Sequence, residues 1–232
     1  MPAPLTLIHG FGCNSSFWRP QLAHLESRRW LLWAPELPYH GGLARDVGKS
    51  LSGLAGWVAE GLQGQATVLM GHSLGGMIAL QIAHEAPELV RGIVLVDSFP
   101  DLRLSAQHLP GMWVEGAFPE VRQWIERERE GIIAAMPQST YDTIWPSVRD
   151  FNAVPWLPSI TCPVLGLYGG RGRYRRGEAE VLRQQLKLSS LGGPSEVVVV
   201  PGAGHFVNLE RPQQTNAAIA AWVKAHFGAP VI

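Results

Sequence analysis

Gly71-His72-Ser73-Leu74-Gly75-Gly76 follows an apolar run over residues 66–70 and precedes a helical pattern over residues 77–84. A strand therefore turns directly into a helix at Ser73. A serine in a G-x-S-x-G turn of this kind sits where no side chain fits at Gly71 or Gly75, and its hydroxyl projects above the sheet. The N-terminal amides of the new helix point toward it. Ser73 is thus the candidate nucleophile.

Working outward from this turn, residues 5–8, 30–34, 67–70, 93–96, 164–167 and 197–200 are short, near-continuous apolar runs. Runs without polar alternation suit parallel strands covered on both faces. Residues 51–62 have helical spacing, with Leu51, Leu54, Val58 and Leu62 on one face. Strands alternating with helices predict an α/β fold with a doubly wound, mostly parallel sheet of about six strands. Ligands bind such sheets beyond the carboxyl ends of the strands. His9, Ser73, Asp97 and His205 all follow strand ends, so one rim gathers them.

Residues 100–158 break the rhythm. They hold Trp113, Trp124, Trp145 and Trp156, an amphipathic helical pattern over 121–133, and then Pro137, Pro146, Pro155 and Pro158. This stretch reads as a helical cap inserted over the rim. Residues 1–99 and 159–232 then form the core. A cap must pack on something and also roof a pocket, so its tryptophans can fill a small subcore, line the pocket, or do both.

The chain of 232 residues has 46% hydrophobic content and 19 basic against 19 acidic residues, for a formal net charge of zero. Nothing global draws it to nucleic acid or an anionic membrane. Cys13 and Cys162 read as two thiols rather than a disulfide scaffold. The first residues show no basic, apolar leader, and no stretch reaches 18 consecutive apolar residues. A cytoplasmic location is the expectation.

Serine is a poor nucleophile until a base takes its proton. His205, in the loop Pro201-Gly202-Ala203-Gly204-His205-Phe206 after an apolar strand, is the best-placed base. The oxyanion needs amide donors. The backbone N–H of Leu74, directly after the nucleophile, is one. Phe11, in His9-Gly10-Phe11-Gly12, supplies the other, because Gly10 and Gly12 let the backbone approach substrate closely. Trp18 and Tyr39 with Trp113 of the cap are the candidate substrate-binding aromatics. No spacing of His9, His40, His72 and His205 suggests a metal site, and no motif calls for a cofactor.

Leu7-Ile8-His9-Gly10-Phe11-Gly12, Leu37-Pro38-Tyr39-His40-Gly41, the turn at Ser73 and Gly202-Ala203-Gly204-His205 together resemble the α/β-hydrolase family, in its order and rough spacing, over nearly the whole chain. The resemblance extends to small capped members such as the pimeloyl-ACP methyl ester esterases, to which Cys13-Asn14-Ser15-Ser16-Phe17-Trp18 is also similar. It implies a serine–histidine–acid triad, and here two departures stand out. The family places its acid in a Gly-Glu-x-Asp pattern, but this chain reads Tyr168-Gly169-Gly170-Arg171-Gly172-Arg173, with Gly172 at the acid's position. Asp97, at the end of the strand over residues 93–96, is the expected substitute; Glu178, Glu180 and Asp101 are weaker candidates. The family's leading hairpin is also absent, which leaves residues 30–34 as an edge strand. An exposed edge invites pairing with another chain, so the chain is a monomer or a dimer.

The resulting expectation is a serine esterase acting on a small-molecule carboxylic ester. Arg171, Arg173, Arg175 and Arg176 crowd one loop and suit an acidic group, an acyl-carrier protein among them. A menaquinone-type lyase is the alternative on the same scaffold. Met77 stands where such relatives carry an arginine. A cofactor-free perhydrolase and a catalytically dead binding module are the others.

Overall fold

A computed structural model describes residues 4–26, 30–40, 47–48, 50–104, 114, 117–170 and 178–228. In chain order the principal elements are β1 (Leu5–Ile8), α1 (Arg19–Glu26), β2 (Leu32–Trp33), α2 (Leu51–Gly61), β3 (Thr67–His72), α3 (Leu74–Glu85), β4 (Val90–Val96), α4 (Pro119–Ala135), α5 (Gln138–Arg149), β5 (Val164–Gly169), α6 (Ala179–Gln185), β6 (Ser195–Val200), α7 (Val207–Glu210) and α8 (Pro212–Phe227).

The strands form one six-stranded sheet in the order β2-β1-β3-β4-β5-β6. Every pairing is parallel. Side chains alternate between its faces, as strand geometry requires. Leu5, Leu7, Val68, Met70, Val94, Val96, Leu165 and Leu167 pack on one side with Trp18, Leu25, Ile219, Trp222 and Val223. Ile8, Leu69, Ile93 and Leu95 pack on the other with Leu54 and Val58 of α2 and Ile78 and Ile82 of α3. Fully burying one such side chain is worth roughly 1.5–3 kcal/mol. The central strands β1, β3, β4 and β5 are therefore covered on both faces, which explains their unalternated apolar runs.

Register sets where the site falls. Ile8 pairs with Gly71, His72 with Val96, Val96 with Leu167, and Gly169 with Val200. The strands thus end together, and the residues that follow them share one rim.

The edge strand is shorter than residues 30–34. Only Leu32 and Trp33 pair with β1, opposite Leu5 and Thr6. Trp30 instead turns inward, its N–H bonding the carbonyl of Leu25 at the end of α1. Two helices, α4 and α5, stand where one helix and a proline-broken stretch were expected. Pro146 lies inside α5. Its missing N–H orphans the carbonyl four residues back, at Asp142, whose residue is exposed, so water can satisfy that carbonyl.

Candidate active site

Ser73 links β3 to α3 with φ 52° and ψ −116°, a conformation that costs a non-glycine residue on the order of 1–3 kcal/mol. The surroundings impose it. A Cβ on Gly71 would lie 2.2 Å from the backbone of Gly75, and one on Gly75 would lie 2.1 Å from the carbonyl oxygen of Ile8. Ser73 N–H bonds the carbonyl of Val96 at 3.1 Å, and its own carbonyl accepts from Ser98 Oγ at 2.6 Å. Ser98 is itself fixed: Tyr168 Oη donates to its carbonyl at 2.8 Å. The turn is held from β4 and β5 before any substrate arrives.

Asp97 follows β4 and is fully buried. Its N–H continues the sheet to Leu167 at 2.8 Å. Its Oδ1 accepts from the N–H of Gly169 at 3.3 Å, and its Oδ2 lies 2.5 Å from His205 Nδ1. With Nδ1 donating to Asp97, Nε2 is left as the basic nitrogen of the ring. The His205 side chain is 16% exposed, so a reactant can reach it. The other acids are committed elsewhere. Asp101 is paired with Arg103, which lowers its pKa, and Glu180 is paired with Arg183 on the surface. Glu178 is exposed, just before α6.

The loop carrying His205 comes in close because Gly169 has no side chain. A Cβ there would sit 2.0 Å from the carbonyl oxygen of Gly204. Glu210 in α7 accepts from the N–H of Gly204 at 2.5 Å. On the other side, His72 Nε2 donates to the carbonyl of His205 at 3.0 Å, with the two ring centroids 4.7 Å apart. His205 is thereby anchored to the residue that immediately precedes Ser73.

The loop from His9 to Gly12 lies against the same turn. A Cβ on Gly10 would be 2.9 Å from His72 Nδ1 and 3.3 Å from Ser73 Cβ. His9 locks the loop's start, its Nε2 accepting from the N–H of Leu37 at 3.0 Å. The Phe11 ring is wedged between His40, Tyr141 and Trp145, each at 5.5 Å. Leu74 opens α3, where the first N–H groups have no intrahelical acceptor. Gly10, after β1, and the first turn of α3 thus both lie against Ser73.

Burial favours the neutral forms of His9, His40, His72 and Cys13. It lowers His9 to about 4 and His40 to about 3. His72 falls to about 3, through burial first and the charge of His205 second. Burial raises the Cys13 thiol to about 12, so it stays protonated and is no nucleophile.

The substrate-binding expectations fare differently. Trp18 does not line a pocket. A short 3-10 turn (Ser15–Trp18), capped by the Asn14 side chain, carries it into the apolar layer with Leu5, Leu7 and Trp222, where it is fully buried. Tyr39 is half-buried, with φ 67°, and its hydroxyl accepts from the N–H of Val47 at 3.2 Å. Trp113, Gly172 and the arginines at 171, 173, 175 and 176 lie outside the described residues.

Arg129, within the amphipathic pattern over 121–133, was not singled out from the sequence. It is half-buried, lies 3.5 Å from the carbonyl of Phe11 through Nη2, and stands 6.0 Å from the Phe206 ring. The signal was present: Ile125, Arg129 and Ile132 fall at i, i+4 and i+7, on the buried stripe of the helix.

Comparison with known proteins places this geometry in context. The sequence profile described as the Alpha/beta hydrolase family matches residues 7–218. The chain is 28% identical to a pimeloyl-[acyl-carrier protein] methyl ester esterase from Pectobacterium carotovorum, over 95% of this chain and 94% of that protein. It is 24% identical to a dihydrolipoyllysine-residue acetyltransferase component of an acetoin cleaving system from Pseudomonas putida, over 96% of this chain, but spans only 64% of that relative's length. Among solved structures it superposes on Est816, an N-acyl homoserine lactone degrading enzyme, with a TM-score of 0.77 at 22% identity, covering 96% of this chain and 93% of the other. At that identity the likeness is one of fold.

Proposed function

Because this chain belongs to the Alpha/beta hydrolase family, we propose that it is a serine hydrolase that cleaves carboxylic esters through an acyl-enzyme on Ser73. One observation carries the reading: a fully buried carboxylate, Asp97, 2.5 Å from the imidazole that is tethered beside the Ser73 turn.

In this mechanism His205 Nε2 takes the proton of Ser73 Oγ as the oxygen attacks the ester carbonyl. The carbonyl π electrons move to oxygen, and the N–H groups of Leu74 and Phe11 receive the resulting oxyanion. Collapse expels the alcohol, which takes the proton back from His205. Water then repeats the sequence on the acyl-enzyme and releases the acid. Asp97 stays ionised, fixes the tautomer and offsets the imidazolium charge.

The proposed substrate has an apolar acyl or aromatic group of small to medium size. Phe11, Tyr141 and Trp145 support this, since the last two are stacked at 6.3 Å and are 38% and 36% exposed beside the oxyanion loop. An ester on an acyl-carrier protein is the special case suggested by the Pectobacterium relative's name. The test is labelling by a fluorophosphonate, followed by turnover of p-nitrophenyl esters of graded chain length, with wild type and Ser73→Ala side by side. Labelling and turnover that vanish in Ser73→Ala support the reading; equal rates in both proteins overturn it.

A further inference from the structure

We propose that His72 is a positioning residue, which holds the backbone of His205 in place and so sets the alignment of that imidazole with Ser73. The inference rests on the serine-hydrolase reading and adds a residue that the triad and oxyanion donors leave out.

Hydrogen-bond bookkeeping points there first. His72 is 2% exposed, and its Nε2 lies 3.0 Å from the carbonyl oxygen of His205. A carbonyl only accepts, so Nε2 carries the proton and Nδ1 is a bare lone pair. That Nδ1 is buried without a hydrogen-bond partner, directly under Gly10. A buried, unsatisfied acceptor is destabilising, so packing alone would favour a phenyl ring here. An imidazole makes sense if its other nitrogen has a task, and that nitrogen holds His205.

The arrangement also suits the charge that catalysis creates. His205 becomes a cation during proton transfer, with its ring centroid 4.7 Å from that of His72. A second cation at that range would oppose the step. His205, Asp97 and Arg129 are the charged or titratable groups that bear on His72, and burial keeps it neutral among them. Three tethers then meet on the base's loop: Glu210 on Gly204 N–H, His72 on His205 C=O, and Asp97 on Nδ1. Only the second runs to the strand that bears the nucleophile, so it ties base to serine.

Two variants separate positioning from packing. His72→Phe keeps the ring and removes both the donor and the orphaned acceptor. His72→Gln restores an N–H near the old Nε2. With p-nitrophenyl butyrate, His72→Phe is expected to lower kcat roughly 10- to 100-fold, the range for small misplacements of a catalytic group. KM should stay within about twofold and the thermal midpoint should not fall, while His72→Gln should recover most of the lost rate. A second readout needs no turnover: the downfield proton resonance of His205 Nδ1–H should broaden in His72→Phe and return in His72→Gln. The proposal is overturned if His72→Phe keeps wild-type kcat and an unchanged resonance, or if both variants lose rate and thermal midpoint in parallel. A wild type that fails to label with fluorophosphonate would sink the hydrolase reading instead, and the resonance would still report on the tether.

Discussion

Asp97 and His205 are 108 residues apart in the chain and 2.5 Å apart in the fold. Parallel register makes the meeting possible. Val96 pairs with Leu167 and Gly169 pairs with Val200, so the residues after β4, β5 and β6 emerge side by side. Gly169 then lets the His205 loop descend onto the carboxylate.

Replacing Asp97 by Asn retains shape and removes charge. The amide can no longer stabilise an imidazolium, and it favours the wrong histidine tautomer. The expected loss in kcat is about 10⁴-fold, with KM nearly unchanged. Ester turnover measures it. A variant within tenfold of wild type would mean that the acid lies elsewhere.

Gly169→Ala tests the close approach. Its methyl would fall 2.0 Å from the carbonyl oxygen of Gly204, a backbone atom that cannot swing aside. Either β5 or the His205 loop must move. Overpacking of this kind costs about 1–3 kcal/mol, which for a chain of this size lowers the thermal midpoint by roughly 2–12 °C. Activity should fall more steeply than stability, by on the order of 100-fold, because the displaced group is the proposed base. Thermal melts and kcat on the same preparation decide it.

The fold was legible wherever one physical constraint left one solution. Unalternated apolar runs mean doubly covered strands, and the glycines around Ser73 mean a turn too tight for side chains. The family resemblance, with Gly172 at the usual acid position, favoured Asp97 over Glu178, Glu180 and Asp101, and Asp97 is the one of these found against His205. Trp18 was misread because a tryptophan near a glycine loop carries no information about which face it turns to. The 3-10 turn begun by Asn14 sends it beneath the sheet. Pro146 read as punctuation, yet a helix tolerates it where the orphaned carbonyl faces water. The contact of His72 with His205 was hidden for another reason. It depends on register across β3, β4, β5 and β6, which no local pattern encodes.

Arg129 couples α4 to the loop after β1. Its Nη2 reaches the Phe11 carbonyl at 3.5 Å, and one turn on, Ile133 packs 3.0 Å from where a Cβ on Gly12 would lie. Arg129→Met keeps most of the packing and loses the polar contact. A hydrogen bond at this long limit is worth roughly 0.5–1.5 kcal/mol, so kcat should fall between about twofold and tenfold. A change confined to KM would show instead that Arg129 contacts substrate and leaves the loop untouched.

The three buried histidines predict acid sensitivity of the fold itself. Burial depresses His9 to about 4, and His40 and His72 to about 3, from an ordinary value of 6.5. The unfolded chain therefore binds protons that the folded chain refuses as pH drops below about 6.5. Stability is fully present above that pH and is lost as pH falls toward 3–4, since stability rises with pH wherever the unfolded state holds more protons. Each histidine contributes about 1.4 kcal/mol per pH unit inside this window, and all three together roughly 4 kcal/mol per unit. Urea midpoints at pH 7.5, 6 and 5 should fall progressively with unchanged m-values. His40→Phe removes one titrating group whose Nε2 has no hydrogen-bond partner, so it should flatten the pH slope by about a third. A variant as acid-sensitive as wild type would show that His40 is protonated in the folded state at these pH values.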